Sequence, residues 1–168
     1  MDESNVVFGP GTILVKTESL KKAIPDLDIY ESREGQNWQL MLPLAYCCSV
    51  GYLDEVLFKY VVHTDSHSHT KRTLEQEYKR RDNFYKLQCE TIDKIGTMQK
   101  NEKEYWKNYA LTRSILTKYR MAIYYHNFLE SVKKQSELKE RGVKILWKDG
   151  FLSHHFRIIT RRIKEIVG

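Results

Sequence analysis

Proline is scarce and confined to the N-terminal part of the chain: Pro10, Pro25 and Pro43 are the only three in 168 residues. Beyond the polar loop Thr64–Thr70, glycine is almost as rare, with only Gly96, Gly142, Gly150 and the terminal Gly168. The second half therefore carries almost none of the residues that interrupt helices, and it reads as helical. Cysteine is also sparse. Cys47, Cys48 and Cys89 make an odd count, two of them adjacent in an apolar run, which excludes a disulfide framework and fits a reducing compartment. No Cys-x-x-Cys occurs, so a structural zinc site has no support. The longest apolar run, Leu40 to Cys48, is broken by Pro43 and is far short of the roughly 20 residues that span a bilayer. The acidic, polar start Met1–Asn5 lacks the basic and apolar regions of a secretory signal. There is no internal repeat and no low-complexity tract.

What is present is unevenly charged. Residues 1–70 hold 5 Lys+Arg against 10 Asp+Glu, whereas residues 71–168 hold 23 against 12, so an acidic segment precedes a basic one within a net +6. An acidic segment suits a sugar or metal-assisted site. A basic one suits nucleic acid, anionic lipid or a solvated helix surface.

Local patterns divide the chain. After Gly9-Pro10-Gly11, the run Thr12-Ile13-Leu14-Val15 predicts a buried strand, and Thr17 as N-cap opens a short helix stopped by Pro25. From Asn37, apolar residues Trp38, Met41, Leu42, Ala45 and Cys48 keep helical spacing, with Pro43 as a kink and Gly51 as a stop. Gly51-Tyr52-Leu53 and Val56–His63 predict two strands, the second with Leu57, Lys59 and Val61 alternating against Phe58, Tyr60 and Val62. Leu74, Tyr78, Tyr85, Cys89 and Ile92 share one helical face, and Tyr105, Tyr109, Leu116, Tyr119 and Ile123 share another, with a break near Gly96. A further helix is expected from about Phe151 to the end.

Tyr30-Glu31-Ser32-Arg33-Glu34-Gly35-Gln36-Asn37-Trp38-Gln39-Leu40, followed by Pro43-Leu44, Gly51-Tyr52-Leu53-Asp54-Glu55, Tyr60-Val61-Val62 and Ser66-His67-Ser68-His69, resembles bacterial family 2 glycosyltransferases from Phe8 to about Thr70. Several motifs stand in the family's order and spacing, where any one alone would be weak. The resemblance implies an α+β fold: residues 1–70 as the acceptor-side, C-terminal part of a GT-A nucleotide-sugar transferase domain, a short mixed sheet with helices, followed by an all-helical basic extension over 71–168. It implies transfer of a sugar from a nucleotide-sugar donor, held with Mg or Mn in the complete enzyme, to a glycan or lipid-linked acceptor with inversion. The enzyme would be cytoplasmic, peripheral on the inner face of a membrane. Two departures qualify it. The family's acidic pair, whose aspartate is the general base, falls on Gln36-Asn37, and amides cannot take a proton from a sugar hydroxyl. A branch of the family shares the Ser-Arg-x-Gly-Gln-Asn-Trp wording, which implies an altered acceptor site. The donor half, with its Asp-x-Asp, would precede Phe8, and the only such triplet, Asp26-Leu27-Asp28, follows Pro25 in a loop. The chain is accordingly expected to be an acceptor-side portion that binds no donor alone and works with a separate donor-binding half.

Within that frame Glu31, steadied by Arg33, is the first choice of carboxylate for the base, ahead of Glu34, Asp54 and Glu55, and Asn37 occupies the base's usual place. Arg33, Gln36, Trp38, His67 and His69 are the substrate-binding candidates. Outside the frame, Asn37 and Trp38 read as a helix cap and a core aromatic. His63, His67 and His69 beside Asp65 have ligand-type spacing if the loop folds back, but loop histidines are commonly just polar, and no residue is assigned to a metal. Cys47 and Cys48 read as core. The C-terminal stretch 151–168 puts Arg157, Arg161 and Lys164 on one stripe and Ile159, Ile163 and Ile166 nearly opposite, suited to an anionic membrane surface or to docking on the other helices. The alternative class is a non-catalytic basic helical module that binds nucleic acid or a protein partner. Glu75, Glu77, Glu90, Glu102 and Glu104 interrupt its basic faces, so nucleic acid is not expected.

Overall fold

The computed structural model describes residues 11, 13–29, 35, 37–59, 61, 72–146 and 150–155. These form five helices in chain order: α1 (Thr17–Ala23), α2 (Asn37–Cys47), α3 (Leu74–Lys94), α4 (Lys100–Tyr124) and α5 (Phe128–Glu140). Neighbours in sequence pack as neighbours in space, with α1 on α2, α2 on α3, α3 on α4 and α4 on α5.

The helix ends follow local chemistry. Thr73 opens α3 through a reciprocal capping box, its hydroxyl accepting from the Gln76 amide while the Thr73 amide donates to Gln76 Oε1. Gln99 opens α4 in the same way with Glu102. Asn127 Oδ1 caps α5 by accepting from the Glu130 amide at 3.1 Å. At its other end, Gly142 takes a φ of 74°, and the Gly142 and Val143 amides return to the Lys139 and Leu138 carbonyls. That Schellman ending places Val143 against Leu138 in the core.

Two apolar clusters hold the helices. Leu42 of α2 meets Ile92 of α3 and Ile95 and Met98 of the α3–α4 turn, with Trp38 and Trp106 leaning on them. This cluster draws on both sides of residue 70. The second joins Ile115, Tyr119 and Ile123 of α4 to Leu138 of α5, with Val143, Ile145 and Phe151 around it.

The α+β expectation is corrected: no strand and no sheet occur among the described residues. Ile13–Lys16 and residues 50–59 lie outside regular structure, with Leu14 97% and Val56 99% exposed. Their β-branched, alternating composition favours strands, but a strand exists only through its ladder, and no described segment pairs with them. Helices close their hydrogen bonds within themselves, and α1 and α2 form where expected. Lys16, not Thr17, is the cap of α1. Pro43 sits inside α2, which continues to Cys47. Tyr105 departs from its stripe and is exposed, while Tyr119 and Ile123 are buried. The turn Tyr125–Asn127 and the helix after it had not been anticipated. It arises where His126, at φ 57°, and the Asn127 cap interrupt an otherwise helix-compatible sequence. Beyond it, residues 151–155 form a helical turn, and the stripe from Arg157 to Ile166 lies outside the described residues.

No described helix is long and apolar enough to cross a membrane.

Candidate functional site

The motif that carried the sequence reading stands at the start of α2. Gly35 takes a φ of 64°, a left-handed turn natural to glycine, and its carbonyl accepts from the Trp38 amide at 2.9 Å. A Cβ at Gly35 would lie 2.4 Å from the Phe84 ring and 2.9 Å from Trp38 Cδ1, so the chain passes close to α3 here. Asn37 is the first residue of α2 and is half-buried. Trp38 is also half-buried and rests against the Leu42 cluster, as the core reading of that indole required. Glu31, Glu34, Arg33, Gln36, His63, Asp65, His67 and His69 lie outside the described residues. Asp54 and Glu55 are exposed in the irregular segment after α2.

On the flank of α2, Gln39 and Pro43 line a cleft of 330 Å³ shared with Ala23–Asp26, Asp28, Thr91 and Lys94. Lys94 donates to Asp28 at 3.3 Å, and Asp26 Oδ1 accepts from the Asp28 amide. Carboxylates, an amide and an ammonium in one recess offer the mixed donors and acceptors that sugar hydroxyls need. The triplet Asp26-Leu27-Asp28, set aside in sequence as a mere loop, thus reaches the helix bearing the motif. Its recess depends on how α1 seats on α2, which no local pattern encodes. Elsewhere on α2, Tyr46 donates to Glu102 Oε2 at 2.9 Å, and that carboxylate raises the phenol's pKa.

A larger cleft of 630 Å³ opens between α3 and α4. Arg80, Arg81 and Glu77 come from α3, Thr117, Arg120, Met121, Ile123 and Tyr124 from α4, and Tyr125 and His154 complete the lining. The guanidinium carbons of Arg80 and Arg81 lie 5.4 and 5.3 Å from the Phe84 ring centre, the same ring that abuts Gly35. Glu77 bridges Arg72 at 3.6 Å and Arg80 at 3.9 Å. The Tyr125 hydroxyl donates to the Arg72 carbonyl at 2.8 Å, closing one end. Arg120 is about forty positions from Arg80 and Arg81, and only the packing register of α4 on α3 brings them to one cleft.

Beside this cleft, His126 Nδ1 and His155 Nε2 stand 2.6 Å apart, and His155 Nδ1 is 2.8 Å from the Phe151 carbonyl. A carbonyl only accepts, so Nδ1 of His155 carries a proton and donates to it, leaving Nε2 to face His126 Nδ1.

Three half-buried groups between the helices have perturbed acidity. Burial, reinforced by Glu130 and Glu137, pushes the Tyr78 phenol up to about 12. Burial, then a hydrogen bond with Cys89, pushes Tyr85 up to about 12. Burial also raises the Cys89 thiol, which suits a packing residue more than a nucleophile. Cys47, Cys48 and Cys89 are all unbridged and half-buried. No group of three His, Cys, Asp or Glu side chains able to hold a metal occurs among the described residues.

No protein-family model, no curated protein and no solved structure matches the chain.

Proposed function

We propose that this chain supplies the acceptor side of an inverting glycosyl transfer, with the nucleotide sugar and its divalent metal bound by a separate donor half and the acceptor a glycan or lipid-linked sugar. The observation that carries the reading is α2. The ordered motif run places its amide pair where the resembled family opens a helix, the helix here does open on Asn37, and its flank lines a polar recess with Asp26 and Asp28. Glu31 is the proposed base, since a carboxylate must deprotonate the attacking hydroxyl and the amides cannot. Arg33, Gln36, His67 and His69 remain the proposed substrate contacts. Trp38, packed on the core, contributes by positioning the start of α2. A cytoplasmic setting, peripheral on a membrane through residues 151–168, belongs to the same proposal.

A nucleic-acid-binding module is less well supported. Several lysines of the helical half are matched by acids, at Lys107–Asp93, Lys118–Asp82, Lys134–Glu137 and Lys86–Glu90, and these pairs interrupt a basic track.

Saturation-transfer difference NMR with a panel of neutral oligosaccharides tests the reading on the chain itself. Saturation transfer that falls in Asn37→Ala and Asp26→Asn, with the helical circular dichroism signal kept, is the expected result. Absence of transfer to any saccharide, or transfer indifferent to both substitutions, would overturn it.

A further inference from the structure

We propose that the segment Glu55–Lys59 pairs with the same segment of a second copy of this chain as an antiparallel ladder, closing a two-fold dimer with Leu57 opposite Leu57. This goes beyond glycosyl transfer and stands whether or not that reading holds.

Exposure is the first support. Val50, Tyr52, Leu53, Val56, Leu57 and Val61 are all exposed, Leu57 at 71% and Val56 at 99%. Single apolar residues on a surface are ordinary, but a run of them along one stretch of chain marks an interaction site. The backbone is open as well. Among the described residues, the only backbone hydrogen bond within 50–59 runs from the Leu57 amide to the Glu55 carbonyl at 3.0 Å. Backbone groups of an extended chain alternate between its two edges, so that bond occupies the edge of Glu55 and Leu57 and leaves the edge of Val56 and Phe58 for a partner.

Charge complementarity says what the partner is. Laid antiparallel on itself with Leu57 on the two-fold axis, the segment sets Glu55 against Lys59 twice and Val56 against Phe58 twice, and Leu53 faces Val61 beyond them. Glu55 and Lys59 are exposed, and neither has an ion-pair partner among the described residues. A slip of one residue sets Glu55 against Phe58 or Val56 against Lys59, and a parallel in-register pairing sets like charges together. One register therefore satisfies both charge and apolar contact, and it is self-complementary, as a closed two-fold interface must be.

The segment is also held in place. A Cβ at Gly11 would lie 2.4 Å from the Phe58 ring, so the ring rests on the backbone of Gly11 and limits the freedom lost on pairing. Two short strands alone are marginal, so the dimer is weak and depends on concentration.

Sedimentation velocity of the full chain, run from micromolar to millimolar concentration, tests this. Wild type should pass from monomer to dimer and no further. Glu55→Lys and Lys59→Glu each turn two attractive pairs into two repulsive ones, so each should weaken dimerisation by about tenfold or more. The double variant Glu55→Lys, Lys59→Glu should recover it, which loss by unfolding could not do. Leu57→Asp, at an exposed position, should abolish the dimer while the helical circular dichroism signal is kept. A monomer at every concentration, open-ended association in place of a dimer, a dimer indifferent to the single reversals, or no recovery in the double variant would overturn the proposal.

Discussion

Gly35→Ala isolates the joint on which the start of α2 depends. The native φ of 64° is left-handed, which costs an L-residue about 1–2 kcal/mol. The new methyl would also lie 2.4 Å from the Phe84 ring, and moving that ring off its rotamer costs about 0.5–1.5 kcal/mol more. The two costs together predict a loss of about 1.5–3.5 kcal/mol, read in urea unfolding as a lower midpoint at constant slope. For a chain of this size that is a drop in Tm of about 3–14 °C. Other glycines separate the two terms. Gly142 also has a positive φ, but a methyl there meets nothing within 4 Å, so Gly142→Ala should lose only the backbone part. Gly96 has neither constraint, and Gly96→Ala should be neutral or stabilising by up to about 1 kcal/mol. A Gly35→Ala loss no greater than that of Gly142→Ala would refute the close approach of α2's entry to Phe84, and a loss below about 0.5 kcal/mol would refute the strained turn as well.

Leu138 is 0% exposed in the second cluster, so Leu138→Ala should cost about 2–5 kcal/mol by chemical denaturation, against less than about 1 kcal/mol for the exposed Leu129→Ala. Asn127→Ala removes the α5 cap and should cost about 0.5–2 kcal/mol, whereas Asn127→Asp should keep most of it. Tyr78 and Tyr85 hold their protons more tightly folded than unfolded, with phenols near 12 in place of 10, so the stability they confer is complete below pH 10 and is lost as pH rises towards 12. Ultraviolet titration should therefore show two late phenols that become ordinary in urea, and Tyr78→Phe should remove one of them.

The helical half was legible because its signals are local. Apolar spacing at three and four residues, the absence of proline and the break near Gly96 together specify α3 and α4, whose hydrogen bonds are made within each helix. Tyr105 was misjudged because it lies at the edge of its stripe, where helical spacing alone does not decide burial. The strands were misread because β composition states a preference that only a partner can satisfy, and Val56 and Leu57 stand exposed without a described partner strand. The start of α2 at Asn37 was legible from its apolar spacing. The arginine cleft was not, since Arg80 and Arg120 are forty positions apart and meet through helix packing alone.

The most direct measurement is an amide chemical-shift map of the isotopically labelled chain titrated with the oligosaccharide that gives the strongest saturation transfer. An acceptor site on α2 predicts that shifts concentrate at Asp26, Asp28, Asn37 and Gln39 and disappear in Asn37→Ala. Shifts confined to the α3–α4 cleft around Arg80 and Arg120, or none at saturating saccharide, would contradict an acceptor site on this helix.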